Sequence, residues 1–238
     1  MKARRSSFRR VTTAIGITCV LLTATGLFAN SITYVTPTGS TAGGQPVDAT
    51  ATFTTGPGTV TITLSSLQAN PKSVVQGLSD LDFVLNNGAT SGTLASCMGQ
   101  DLTVHGNGTY TLGSTGSTGW GLNNNISGGL QLDALGYIGP AHLILGPPGL
   151  GGSYGNANGS IAGNGPHNPF LNQTATFTVD VAGVDATTQI TNATFSFGTT
   201  AGIDVPGTPQ SPVPEPGTMA LLGSGMIGLA GILRRKLM

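Results

Sequence analysis

The residues of this chain that could do chemistry are few and scattered. Gly151-Gly152-Ser153-Tyr154-Gly155 matches the G-x-S-x-G nucleophile pattern, which works only where a strand runs into a tight turn and a helix, so that the hydroxyl stands exposed. Pro147 and Pro148 separate it from the preceding apolar stretch, and Asn156–Gly165 is no helix former. It reads as a glycine loop. His105, His142 and His167 lack metal-ligand spacing, and no cysteine pair accompanies them. They read as a strand residue, a partly buried neighbour of Leu143 and a loop residue. Asp80-x-Asp82 and the Asp180 and Asp185 pair supply hard oxygen atoms of the kind calcium prefers, but neither forms a calcium loop, and alternate aspartates on a strand are normally a solvated edge. Five Asn-x-Ser/Thr sequons (Asn107, Asn125, Asn158, Asn172, Asn192) are no more than this Asn-, Ser- and Thr-rich composition yields by chance.

A different chemistry suits the loops. Trp120, Tyr137 and Tyr154 stand among Gly and Asn, where aromatic faces stack on sugar rings and amides bond their hydroxyls. Trp120 and Tyr154 are therefore the candidate carbohydrate-binding residues. The competing role for Trp120, the only tryptophan, is a plug for the core beneath a loop, because large aromatics are usually buried.

The elements that must position these residues are strands. Only 8% of residues are charged and Gly numbers 38. The stretch between the two ends holds almost none of the Lys, Arg and Glu that favour helices, and much Thr, Val, Ile and Phe that favour half-buried strands. Ala49–Thr54 and Val60–Leu64 alternate around the turn Gly56-Pro57-Gly58. This predicts a hairpin with Ala51, Phe53, Val60, Ile62 and Leu64 inward and Thr50, Thr52, Thr54, Thr61 and Thr63 outward. Asn70-Pro71 followed by Val74, Val75 and Leu78 predicts one short helix capped by Asn70. Asp80–Leu85 reads as a strand, and Leu102–His105 with Thr109–Leu112 as a second hairpin across Gly106-Asn107-Gly108. Residues 113–169 read as a loop-rich insertion or a poorly ordered stretch, and Thr174–Val181 and Ile190–Phe197 as further strands. The fold expected is mostly β, an antiparallel β-sandwich or jelly roll with Gly/Asn-rich loops over residues 30–198. Residues 199–212 read as a Pro/Thr linker.

The ends have a separate logic. Residues 1–29 have the layout of a signal peptide: a basic Met1–Arg10, an apolar Val11–Phe28 interrupted by threonines, and Ala29 or Gly26 at the cleavage position. A permanent signal anchor is the competing reading. Cys19 leaves with the leader, so Cys97 stands alone and no internal disulfide supports the fold. At the other end Val213-Pro214-Glu215-Pro216-Gly217 precedes the apolar Thr218–Leu233, 16 residues long, and then Arg234-Arg235-Lys236. That run sits at the short edge of a membrane-spanning helix, with its basic cluster on the cytoplasmic side. Eight of the nine Lys and Arg lie in these ends, leaving eight aspartates against Lys72 in residues 30–212, a net of −7. So acidic a body offers no footprint for nucleic acid.

Pro-Glu-Pro, the Gly-rich apolar helix and the terminal basic cluster, in that order, resemble the PEP-CTERM sorting domain over Val213–Met238. The resemblance implies a sorting signal carried by Pro214, Glu215, Pro216, Arg234, Arg235 and Lys236. It also implies recognition by an exosortase, a protease-like enzyme of the Gram-negative inner membrane, cutting or transfer near Pro214–Pro216, and delivery to the cell surface or outside. Proteins of this kind accompany exopolysaccharide production and biofilm formation. The expectation is therefore a non-catalytic surface or matrix protein that needs no cofactor and crosses the inner membrane transiently through its C-terminal helix. A carbohydrate-binding adhesin is the second reading and a secreted hydrolase the third.

Overall fold

The computed structural model describes residues 30–210, with Gly225 alone beyond them. Strands appear in the order β1 (Asn30–Val35), β2 (Thr41–Ala42), β3 (Gln45–Pro46), β4 (Ala49–Gly56), β5 (Thr59–Ser66), β6 (Leu78–Leu85), β7 (Thr93–Val104) and β8 (Tyr110–Ser117). They continue with β9 (Gly121–Ile126), β10 (Gly129–Asp133), β11 (Ile144–Leu145), β12 (Phe170–Asp180), β13 (Ile190–Phe197), β14 (Asp204–Pro206) and β15 (Thr208–Gln210). Apart from the β2–β3 ribbon they form one large mixed sheet, parallel only where β11 meets β12. The domain is thus mostly β, and its arrangement is consistent with the expected sandwich.

Alternation of apolar and hydroxylated residues decides how the sheet folds over. In the β4–β5 hairpin, Ala51, Phe53, Val60, Ile62 and Leu64 are fully buried, as their spacing predicts, while the intervening threonines are half-buried. Those threonines continue across the sheet. Thr52 lies opposite Thr33 and Thr63, and Thr63 opposite Thr176, giving a row of hydroxyl and methyl groups across the face. Cross-strand pairs such as Thr33 with Thr52 and Ser65 with Thr174, each at 2.9 Å, satisfy some of its hydroxyls. On the inner side the run β8-β7-β12-β5-β4-β1 meets the run β9-β10-β6-β13, and Phe53 reaches Phe83 across the core with ring centroids 5.5 Å apart.

Two expectations change. The segment 199–212 contributes strands rather than a free linker: β14 pairs with β13 and β15 with β1, and only Gly207 separates them. The Gly207 amide donates to the Ala193 carbonyl at 2.8 Å, so one short segment joins both ends of the sheet and closes it. Second, the short helix shrinks to a single 3-10 turn at Val74–Gln76. Its N-cap is Ser73, and Asn70 instead takes a left-handed conformation, φ 50°. The Gln76 side chain folds back to accept from the Lys72 and Ser73 amides, and β6 begins at Leu78, leaving no room for a second turn.

Residues 113–169 are loop-rich but built. They supply β9 to β11, and Leu143, Leu145, Tyr154 and Ile161 form a second small core with Leu102, Val104 and Phe170. Among the described residues, no helix is long and apolar enough to cross a membrane; the expected signal and C-terminal helices lie outside them.

Candidate functional site

A groove of about 680 Å³ opens at the edge of the two layers. One wall is the first half of β7, Gly92 to Met98; the other is Trp120, Gly121 and Leu122 at the start of β9, roofed by Tyr137. The topology explains the opening. β8 covers β7 only from Met98 onward, and β9 pairs with β10 alone, so among the described residues no strand fills the gap between Thr93–Cys97 and β9. Hydrogen bonds staple both ends of the gap: Thr118 N–H to the Cys97 carbonyl (3.0 Å) at one, and Asn125 N–H to the Thr90 carbonyl (2.8 Å) with Asn124 on Gly92 at the other.

Trp120 is only 3% exposed. Its indole packs on Phe177 with centroids 5.2 Å apart, and Nε1–H donates to the His142 carbonyl at 2.9 Å. His142 in turn holds the Thr118 carbonyl through Nδ1 at 2.6 Å and faces Asp101 at 3.6 Å. These contacts make Trp120 the core plug under a loop, touching the groove but offering no free ring face. Tyr154 is 1% exposed, edge-on to Tyr110, with its hydroxyl donating to the Gly146 carbonyl at 2.9 Å. Burial holds its phenol well above the ordinary value. The structure thus separates the two candidate carbohydrate residues and buries both.

Tyr137 is the aromatic that stays outside, 54% exposed. Gly121 makes room for it: a Cβ there would fall 2.2 Å from the ring. The Tyr137 hydroxyl donates toward the Leu122 carbonyl (3.1 Å) and the Asn123 Oδ1 (3.2 Å). The ring is a fixed shelf rather than a free side chain. Its signal in the sequence was its place among glycines, but nothing there distinguished it from its two buried counterparts.

Among the described residues, no charged side chain lines the groove. Cys97 sits in its wall with Sγ 3.3 Å from the Ser117 hydroxyl. Burial works to raise the thiol, and hydrogen bonds from Ser117, Thr118 and Gly119 outweigh it, leaving the thiol below its ordinary value. Ser153 lies in a bend entered by no strand and followed by no helix, so the G-x-S-x-G stretch lacks the nucleophile-elbow context.

Beyond the described domain, residues 212–236 match the family model of the PEP-CTERM protein-sorting motif. The chain carries a PEP-CTERM sorting signal. The match covers Pro214, Glu215, Pro216, Arg234, Arg235 and Lys236, all outside the described residues. The motif marks an exported protein, processed by an exosortase in the membrane and directed to the cell surface or extracellular space. No curated protein and no solved structure matches the chain.

Proposed function

We propose that this is a non-catalytic surface or matrix protein, associated with exopolysaccharide or biofilm in a Gram-negative bacterium, whose sandwich-type domain is delivered by exosortase processing. The observation that carries the reading is the PEP-CTERM motif attached to an acidic, threonine-faced β-domain. Little chain separates the two: β15 ends at Gln210 and only three residues intervene before Pro214, so the span from Gln210 to Pro214 is at most about 14 Å when extended. The domain therefore travels close to the point of processing. The function proposed is physical, through a closed β-domain that presents hydroxyl-rich surface. It needs no nucleophile, and a secreted hydrolase gains nothing from the placement of Ser153.

Replacing Pro214, Glu215 and Pro216 with alanine in the full chain tests the delivery half of the proposal. The variant is expected to remain in the membrane fraction at precursor mass and to be lost from the surface and matrix fractions. Delivery at the wild-type level would contradict it.

A further inference from the structure

We propose that the groove between β7 and β9 binds a neutral, hydroxyl-rich glycan, with Tyr137 as the stacking shelf. The inference builds on the surface or matrix reading above and names the partner the domain itself would hold.

Three observations favour this occupant. First, the shelf is built before any ligand arrives. Gly121 underneath and the hydroxyl proton shared between the Leu122 carbonyl and Asn123 Oδ1 fix the ring, so stacking a sugar on its exposed side costs little ordering. Second, the wall across the groove supplies hydroxyls at Thr93 and Ser96, and the unpaired edge of β7 adds backbone groups with no strand partner among the described residues. Sugar hydroxyls both donate and accept, which suits such a mixed wall. Third, the charge pattern selects against acidic polymers. The lining is neutral, while Asp133 sits opposite Gly121 on β10 and Asp180 opposite Thr93 on β12, carboxyl groups on the strands flanking each wall. The volume lies in the range of small-ligand sites, enough for a short run of sugar residues.

An extended peptide adding to the free edge is the competing occupant, since open edges template strands. The edge is poorly suited to it. The β7–β12 register slips between Leu94 and Ser96, leaving Ala95 as an extra residue, and both ends of the gap are stapled. Such a bulge re-aims the backbone and blunts pairing.

The single tryptophan touches the groove, so its fluorescence reports occupancy. The full chain in detergent micelles would be titrated with cellohexaose, maltohexaose, an oligogalacturonate and an extended Thr/Val peptide. At least one neutral hexasaccharide is expected to bind. Tyr137→Ala should weaken it by about tenfold or more, Gly121→Ala similarly by displacing the ring, and Tyr137→Phe only a few-fold. Tyr137 is exposed, so a single cooperative thermal transition lowered by only about 2–4 °C in Tyr137→Ala separates lost binding from lost fold. The proposal is overturned if neither neutral probe binds, if Tyr137→Ala binds as tightly as the wild type, or if the oligogalacturonate or the peptide is preferred. These probes need no host matrix, so failure here leaves the delivery reading intact, and failed delivery leaves the groove's binding unchanged.

Discussion

Trp120 and Tyr137 stand on the same groove and have opposite roles. Trp120 fills the space over Phe177 and ties the 118–120 turn to His142. Trp120→Ala should destabilise the domain by about 3–5 kcal/mol, the usual cost of emptying a large buried aromatic site. Tyr137→Ala removes an exposed ring and its hydroxyl contacts, at about 1 kcal/mol. Urea denaturation of the two variants side by side measures the difference, and equal losses would contradict the assignment. A second residue sets a pH dependence. Asp80 is 6% exposed and faces Asp133 across β6 and β10, and burial, reinforced by that neighbouring carboxyl, pushes it up to about 7. In the unfolded chain it titrates near 3.8. The folded state therefore holds a proton between these values that the unfolded chain has lost, and stability falls as pH rises from about 4 to 7. The full loss is about 4 kcal/mol at most. Asp80→Asn should flatten this slope and be the more stable form at pH 8; denaturation at pH 4, 6 and 8 checks it.

At the scale of elements, the closing segment β14–β15 is the feature with the largest consequence. Gly207 lies where a Cβ would meet the Phe195 ring at 2.9 Å and the Ala193 carbonyl at 3.0 Å. Gly207→Val should push the segment off β13, costing about 1–3 kcal/mol, and should speed amide exchange in β1 and β13 above that in the β4–β5 hairpin. Uniform exchange would show that the seam is not the weak point. This segment was also the least legible part of the fold. Its Pro206 and Pro209 read as linker, because strand prolines are confined to edges and bulges, and the partners that make it a strand, β13 and β1, begin 14 and 174 residues before Asp204. The two hairpins and β6 were legible for the opposite reason: their alternation and turns are local, and Phe53, Ile62, Leu81 and Phe83 face inward as period two requires. β9 was missed because Leu122-Asn123-Asn124-Asn125 shows no sustained alternation, its asparagines being spent on hydrogen bonds to Gly92, Gln131 and Asp133. The candidate site failed in sequence on exposure, a property that spacing does not encode. Which of three aromatics stays outside depends on Gly121 leaving space for a ring 16 residues later in the chain.

For the whole molecule, charge is divided by destination. The basic residues cluster at the two ends, and the described domain has Lys72 as its single Lys or Arg against eight aspartates. Removal of both ends turns a formally neutral chain into an acidic one, with a net of −7 over residues 30–212. That charge opposes adhesion to anionic surfaces, an effect that salt screens. The N-terminal strand β1 and the last strand β15 pair through Thr33 and Gln210, so both ends leave the same edge of the domain. The β7–β9 groove lies in the part of the sheet beyond β12, away from that edge. The central claim is delivery by processing, and intact mass is its most direct test. Protein recovered from the surface or matrix of the native host should have the mass of a chain beginning near Asn30 and ending near Pro214–Pro216, plus whatever group the transfer leaves. A full-length chain at its unprocessed 23.8 kDa, found only in the membrane, would contradict the account.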